Sequence, residues 1–490
     1  MKKTNILIAV VLVFFMSSCS NEWLNTAPAT SLSSLDAVEC YNDVYSLSIG
    51  MYHGLRGTSG DPDRRYYGAD FIFYGDVRGD DMQARTAGMR TSLLYEMSYT
   101  ALNVPNLWQK PYDVIHRANE VIFSIEDGKA DDGVKANIDD LLGQALTVRA
   151  LAHFDLVRVF GKPYTMSGGP ASFGVPIMNE PHPASYLPSR NSVEEVYAAV
   201  ISDLTRAIPL LKSAKSNGFI NSWAAKSLLA RVYLYKADYN NAYSTAVDVI
   251  NNGGYALWEA NEYVNAWKSP YGKEMIFELI IQSVDAWTDR EGIAYLMSEE
   301  GYADFILTKT FVDLMNRSEN TGDVRKDLMG VPTLSTFTTE KFWGQPVFLK
   351  KLPGQSASDL RLNNIPIFRL SEQYLIAAEA ALKKSSPDQT AANNYLNAIV
   401  SRRNPSRGTV TATEATVLTE KRMELIGEGH GFFDAMRLGN TISRPDDGWH
   451  VPLITDSKTF DRSYYRAILA IPSAEMNANS SIREQQNPGY

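Results

Sequence analysis

The sequence predicts a mostly α-helical protein. Tetratricopeptide-like helical hairpins form a short solenoid scaffold, and a large irregular region of loops and short strands sits on it. Three observations carry this. Apolar residues recur at three- and four-residue spacing through several long segments. Residues 221–252 read as two helices in sequence, with Leu229, Ala230 and Tyr233 on the first and Ala242 and Ala246 on the second. That spacing puts small residues where two helices cross closely, as in the tetratricopeptide pattern. By contrast, residues 255–366 mix Gly, Pro, Thr and aromatics, with no lasting helical period except near Thr308–Asn316.

Composition sets the outer limits. The chain has 490 residues, 44% hydrophobic and 21% charged, which excludes wholesale disorder. Its formal charge of −9, from 47 basic and 56 acidic residues, leaves no basic excess for nucleic acid. Its two cysteines, Cys19 and Cys40, cannot build a disulfide framework.

The chain opens with Lys2 and Lys3 and an unbroken apolar run, Ile6 to Met16. Eleven helical residues reach about 16 Å, too short for a hydrocarbon core of about 30 Å. A short apolar run behind a basic start reads as a secretory signal. Ser17-Ser18-Cys19 then resembles a bacterial lipobox, with Met16 in place of the usual Leu. Residues 1–18 are thus expected to be a lipoprotein signal peptide, Cys19 the lipid-bearing residue, and 19–33 a polar tether. Several acyl chains anchor far more firmly than one. Cys40 is then left without a thiol partner and is expected to be buried and inert.

Residues 34–490 are expected to fold as one body. Its helical scaffold falls at about 34–55, 104–160, 192–252 and 367–430. Ser34 caps the first helix in this reading, and Gly161 with Pro163 ends the clearest one, 137–160. Ser192 with Glu195 forms a capping box for a helix to about Leu211. Residues 371–403 supply a second helical pair with a longer turn. Residues 56–103 and 255–366 form the irregular region, with short strands such as Met275–Ile281 and Pro346–Leu349.

Several segments resemble the SusD/RagB family of outer-membrane nutrient-binding lipoproteins of Bacteroidota. Trp23-Leu24-Asn25 and Pro28 follow the lipobox; Trp108, Tyr112, Ile115, Ala118 and Asn119 match a family helix. Arg149-Ala150, Phe154 and Phe160-Gly161-Lys162-Pro163 come next, then LLARVYLY at 228–235 and EQYLIAAEA at 372–380. Residues 420–438, EKRMELIGEGHGFFDAMRL, resemble the helix ER..EL..EGHR..D..R, and the chain ends in Gln486-Asn487-Pro488-Gly489-Tyr490. Gly431 stands where that family helix usually carries Arg, so its ion-pair cluster of Glu424, Glu428, Asp434 and Arg437 is expected to be incomplete. Those four side chains read either as a helix-end salt-bridge network or as a catalytic carboxylate pair.

The resemblance implies a SusD-like α-fold on the outer face of the outer membrane. It implies a lid on a TonB-dependent (SusC-like) transporter, and capture of an oligosaccharide, or in some members a peptide, for import. It also implies that ligand contacts come from loops in the irregular region. Sugar chemistry selects among those loops: aromatic rings stack on the apolar face of a sugar, while Asp, Asn, Arg and Gln bond its hydroxyl edge. Residues 64–95 offer Tyr67, Tyr74, Asp81, Arg85 and Arg90; residues 285–345 offer Trp287, Tyr295, Tyr302 and Trp343. For any one aromatic, core packing competes with ligand stacking. Trp287 and Trp343 are favoured because they lie in polar, non-periodic sequence, whereas Trp108, Trp223, Trp258 and Trp267 are expected to pack between helices.

Other chemistry is sparse. The six histidines show no metal-ligand spacing. GDVRGDD at 75–81 carries oxygens for Ca²⁺ but lacks the spacing of a calcium loop, and reads as a polar turn. No cofactor is expected. Asp80-Asp81 and Glu299-Glu300 leave a surface glycosidase as a second hypothesis, since glycosidases need two carboxyls. A structural lipoprotein without a small ligand is the third.

Overall fold

The protein was analysed as a computed structural model, which describes residues 37–57, 66–85, 88–183, 185–282, 290–331, 333, 346–355, 359–444 and 457–490. The signal segment, Cys19 and the tether lie outside the described residues.

The first helix, α1, is Tyr41–Arg56. It starts later than the Ser34 reading: Cys40 is its N-cap, and the Asp43 carboxylate accepts from the backbone N–H and thiol of Cys40 at 3.1 and 3.2 Å. Cys40 is therefore half-buried and capping, where a buried, inert residue was expected. After α2 (Asp70–Asp76), β1 (Met82–Ala84) and α3 (Ser92–Glu96) come the long helices α4 (Gln109–Glu126) and α5 (Lys135–Phe160). The inner face of α4 carries Val114, Ile115, Ala118, Val121 and Ile122, all buried, so the helix period read from the sequence is the packing stripe. It packs on α1 and α5, and α5 packs in turn on α6 (Val193–Ala207). The Ser192/Glu195 capping box opens α6, which ends four residues before Leu211.

The 221–252 pair is α7 (Ser222–Lys236) and α8 (Tyr239–Asn252). Asn221 caps α7 through the N–H groups of Trp223 and Ala224, and Asp238 caps α8. Ala242 and Ala246 are fully buried, which lets the two helices close on each other. After α9 (Ala260–Ala266), α10 (Ile293–Met297) and α11 (Lys309–Met315) comes a second hairpin, α12 (Leu370–Lys383) and α13 (Gln389–Arg403). Helix α12 packs on α8, so the two hairpins stack as a short solenoid. Helices α14 (Glu414–Leu425), α15 (Gly431–Leu438) and α16 (Ser473–Ala478) complete the scaffold.

Among the described residues, strands form only two-stranded antiparallel ladders. Strand β1 pairs with β3 (Phe305–Leu307), and β2 (Met275–Leu279) pairs with β6 (Ile365–Arg369). Strands β4 (Met329–Gly330) and β5 (Phe348–Leu349) pair with each other, as do β7 (Ile442–Ser443) and β8 (Thr459–Phe460). The β1–β3 ladder joins the two irregular stretches. No helix among the described residues is long and apolar enough to cross a membrane.

A buried ionic cluster lies where α13 and α14 meet the β2–β6 ladder. Glu424 receives Arg403 Nε at 2.9 Å and Arg369 Nη1 at 3.1 Å; Arg403 and Arg369 also reach Glu274 at 2.7 and 3.1 Å. Glu428 binds Lys351 at 2.6 Å and Arg369 at 2.7 Å, while Asp434 is held by Lys421 at 2.9 Å and Arg437 at 2.7 Å. Arg437 also forks onto Glu379 at 2.6 Å. Of the two readings of Glu424, Glu428, Asp434 and Arg437, the geometry is that of the structural network. The cluster is also filled, although Gly431 lacks the arginine, because Arg369, Arg403 and Lys351 arrive from other elements and Lys421 from α14 itself. Asp76, also buried, forms no ion pair among the described residues. Its carboxylate accepts one N–H, from Gly429 at 2.8 Å, and burial raises its pKa to about 7.

Candidate functional site

Four of the side chains proposed as ligand contacts face the interior, and each has a partner that explains why. Tyr67 is buried and donates its hydroxyl to Asp155 at 2.7 Å. Tyr74 is fully buried against Phe432 and Phe433, with the Arg78 guanidinium 4.1 Å from its ring centroid. Asp81 forms a fork with Arg422 (2.8 Å for one arm), and Arg85 donates Nε to the Ala303 carbonyl at 2.7 Å. The stretch read as loop wraps the scaffold, so its aromatics fill the core and its charges pin the chain. The oxygens of the 75–81 segment are likewise engaged by the protein itself, Asp76 by Gly429 and Asp81 by Arg422.

Three other proposed residues come together at the surface. Arg90 forks onto Glu291, with Nε to Oε2 at 2.8 Å and Nη2 to Oε1 at 2.7 Å. Its Nη1 donates to Asp304 at 3.0 Å. The guanidinium lies 4.4 Å from the centroid of the Tyr302 ring, and Tyr302 meets Tyr295 edge-on at 5.2 Å. Tyr302 stays 36% exposed, so a ring is presented to solvent on a charged platform. Asp304, by contrast, is buried; desolvation raises its pKa despite the neighbouring Arg90.

The β1–β3 ladder assembles this group. It sets Ala84 opposite Phe305, and next to that pair Arg85 N–H donates to the Asp304 carbonyl at 3.1 Å. Thr91 Oγ donates to the same carbonyl at 2.7 Å. Between Tyr302 and Asp304, Ala303 takes a left-handed φ of +49°, a conformation that costs an L-residue energy and that Arg85 holds in place. Arg85 thus pins the backbone next to Tyr302.

Arg90 also lines a solvent-facing cavity of about 720 Å³, between α3, the 101–108 segment and α16. Trp108, Leu102, Asn103, Gln109 and Glu475 contribute to its walls. These were not singled out as ligand contacts. Trp108 does pack, edge-on to Phe160 at 4.9 Å, as the sequence suggested, yet it also forms cavity wall. The one signal that pointed here was the aperiodic, proline-containing run Leu102-Asn103-Val104-Pro105-Asn106 before the helix. Trp287 and Trp343 lie outside the described residues. Trp258 and Trp267 are buried against each other at 5.4 Å. No three His, Cys, Asp or Glu side chains among the described residues gather as a metal site.

Known proteins bear on this arrangement. A family model described as "Starch-binding associating with outer membrane" matches residues 49–234, and one described as "SusD family" matches residues 234–490. A SusD superfamily protein from Bacteroides thetaiotaomicron has a crystal structure 36% identical in sequence; it superposes with a TM-score of 0.85, covering 92% of this chain and 100% of that one. A SusD-like carbohydrate binding protein from Bacteroides vulgatus shares the fold at 22% identity and a TM-score of 0.77, over 91% and 98% of the two chains. A SusD-like protein from Bacteroides ovatus is 22% identical over 471 residues, 88% of this chain and 82% of that one. This chain belongs to the SusD family.

Proposed function

We propose that the protein is a non-enzymatic, lipid-anchored receptor on the outer face of the outer membrane. In this reading it captures an oligosaccharide and passes it to a partner TonB-dependent transporter for import. The observation that carries the proposal is the solvent-facing cavity walled by Arg90, beside the exposed Tyr302 ring. A stacking ring next to a fork of donors and acceptors suits a sugar, which offers an apolar face and a hydroxyl edge. The carbohydrate-binding description of the relative from Bacteroides vulgatus points the same way. Attachment would come from Cys19, and Trp287 and Trp343 would supply further stacking surfaces.

A glycan-array screen of the purified protein tests the binding role, with product analysis on every glycan bound. Binding without product supports a receptor; turnover of a bound glycan rejects it in favour of a glycosidase. Isolation of the native complex from membranes tests the transporter partnership, which fails if no β-barrel protein accompanies the chain. Substitution Cys19→Ala should move the protein out of the membrane fraction, and membrane retention would reject the lipid anchor.

A further inference from the structure

Glu475 borders two hollows at once: the cavity beside Arg90 and a second of about 380 Å³. It lies in α16, which is pinned at both ends. Ser473 N–H donates to the Ala101 carbonyl at 2.8 Å, and Asn479 Nδ2 donates to the Pro188 carbonyl at 2.9 Å. A carboxylate on an element so anchored is held in one place at the cavity wall. The protein itself engages it little. Among the described residues its side chain forms no ion pair and accepts one long hydrogen bond, from Asn479 Nδ2 at 3.4 Å. That same Asn479 amide makes its shorter bond to Pro188.

No cation of the cavity wall is left to serve Glu475. Arg90 is the one Arg or Lys lining either hollow among the described residues. Its Nε and Nη2 go to Glu291 at 2.8 and 2.7 Å, and its Nη1 goes to Asp304 at 3.0 Å. Asp113, on the smaller hollow, is already shared by Lys110 at 3.1 Å and Arg117 at 3.2 Å. Asp70 adds a further carboxylate to the wall of the larger one. A carboxylate in this position gains most from a donor that brings its own positive charge, because charge-assisted hydrogen bonds are about twice as strong as neutral ones. Phe73, Leu94 and Pro472 line the same cavity, and apolar walls strengthen a charge pair by thinning the water around it.

We infer that Glu475 is a specificity-determining residue: it receives an ammonium group of the ligand, so that the cavity selects an oligosaccharide bearing free amino groups over its N-acetylated or amine-free counterparts. This inference rests on the carbohydrate reading above and adds a charged group that the reading itself does not require.

The test is calorimetric titration of the purified protein with tetramers of glucosamine, N-acetylglucosamine and glucose that share one linkage. The three differ in whether each ring carries an ammonium, an acetamide or a hydroxyl. At slightly acidic pH, where the amines hold their protons, the glucosamine tetramer should bind about tenfold more tightly than the other two. Glu475→Gln keeps the size and polarity of the side chain and removes its charge, and should close most of that gap. Neutral tetramers that match or exceed the amine-bearing one overturn the assignment and leave carbohydrate capture in place. A gap that survives Glu475→Gln, with the fold intact by circular dichroism, overturns the role of Glu475. If none of the three tetramers binds, the inference falls, and carbohydrate capture falls with it only where the glycan array is also empty.

Discussion

Arginine meets carboxylate in two places in this protein, with opposite consequences. Around Glu424, Arg403 holds two acids and Arg369 three in a space closed to water, both arginine side chains being at most 1% exposed. At the rim, Arg90 also holds two acids, but it remains 36% exposed and lies against an exposed tyrosine beside an open cavity. The pairing is the same and the solvent differs. A sealed ion pair is expensive to break, because the survivor is left as a bare charge in low dielectric. An open one costs little to break and is available to a ligand.

The sharpest way to break the comparison is to remove one acid from each place. Glu424→Ala should cost about 3–5 kcal/mol of stability, since it strips Arg403 and Arg369 of a buried partner. Chemical denaturation at neutral pH reads this directly. Loss of less than about 1 kcal/mol would mean that water reaches the cluster.

A second test uses Asp76, a buried acid that forms no ion pair among the described residues. Asp76 faces Gly429, with Lys351 favouring its charge and Glu428 and Asp81 opposing it; its folded pKa is raised to about 7 from an ordinary 3.8. The folded state keeps a proton that the unfolded state loses between about pH 4 and 7, so this group lowers stability as pH rises through that window. Asp76→Asn keeps an acceptor for the Gly429 N–H and removes the charge. It should stabilise the protein above pH 7, by at most about 4 kcal/mol, and have little effect near pH 4. Equal effects at the two pH values would refute the assignment.

At the rim, Glu291→Ala should change stability by less than about 1 kcal/mol, as expected for a partly exposed pair. The same denaturation series supplies the check, and a loss comparable to that of Glu424→Ala would erase the distinction. The smallest expected effect is at Gly431, the first residue of α15. A Cβ built there meets nothing closer than 3.9 Å, so Gly431→Ala should gain a few tenths to about 1 kcal/mol from helix propensity. Destabilisation, measured as a lower thermal midpoint, would show that the site is tighter than its geometry.

The helical scaffold was legible because helix–helix packing writes a period into the sequence. The Ser192/Glu195 capping box, the α7–α8 crossing at Ala242 and Ala246, and the Gly161 stop all follow from local rules. The interior of 64–95 was not legible. Tyr67 and Tyr74 sit among Gly, Asp and Arg, and nothing local shows that Asp155 and Phe433 will cover them. The same limit hid Trp108 as a cavity wall, since a residue buried in the core can still border a cavity. The union of Arg90 with Tyr302 depends on the β1–β3 ladder, whose partners lie more than two hundred residues apart in the chain. Composition identified the residue types, and only the long-range pairing brought these two together.

The central claim is that the rim binds while the interior holds the fold. Titrating an oligosaccharide selected on the glycan array into wild type, Arg90→Ala and Tyr302→Ala, with thermal midpoints measured alongside, tests it most directly. The account predicts an affinity loss of about 1–3 kcal/mol in each variant, with the midpoint nearly unchanged. Unaltered affinity in both variants, with the fold intact, would contradict it.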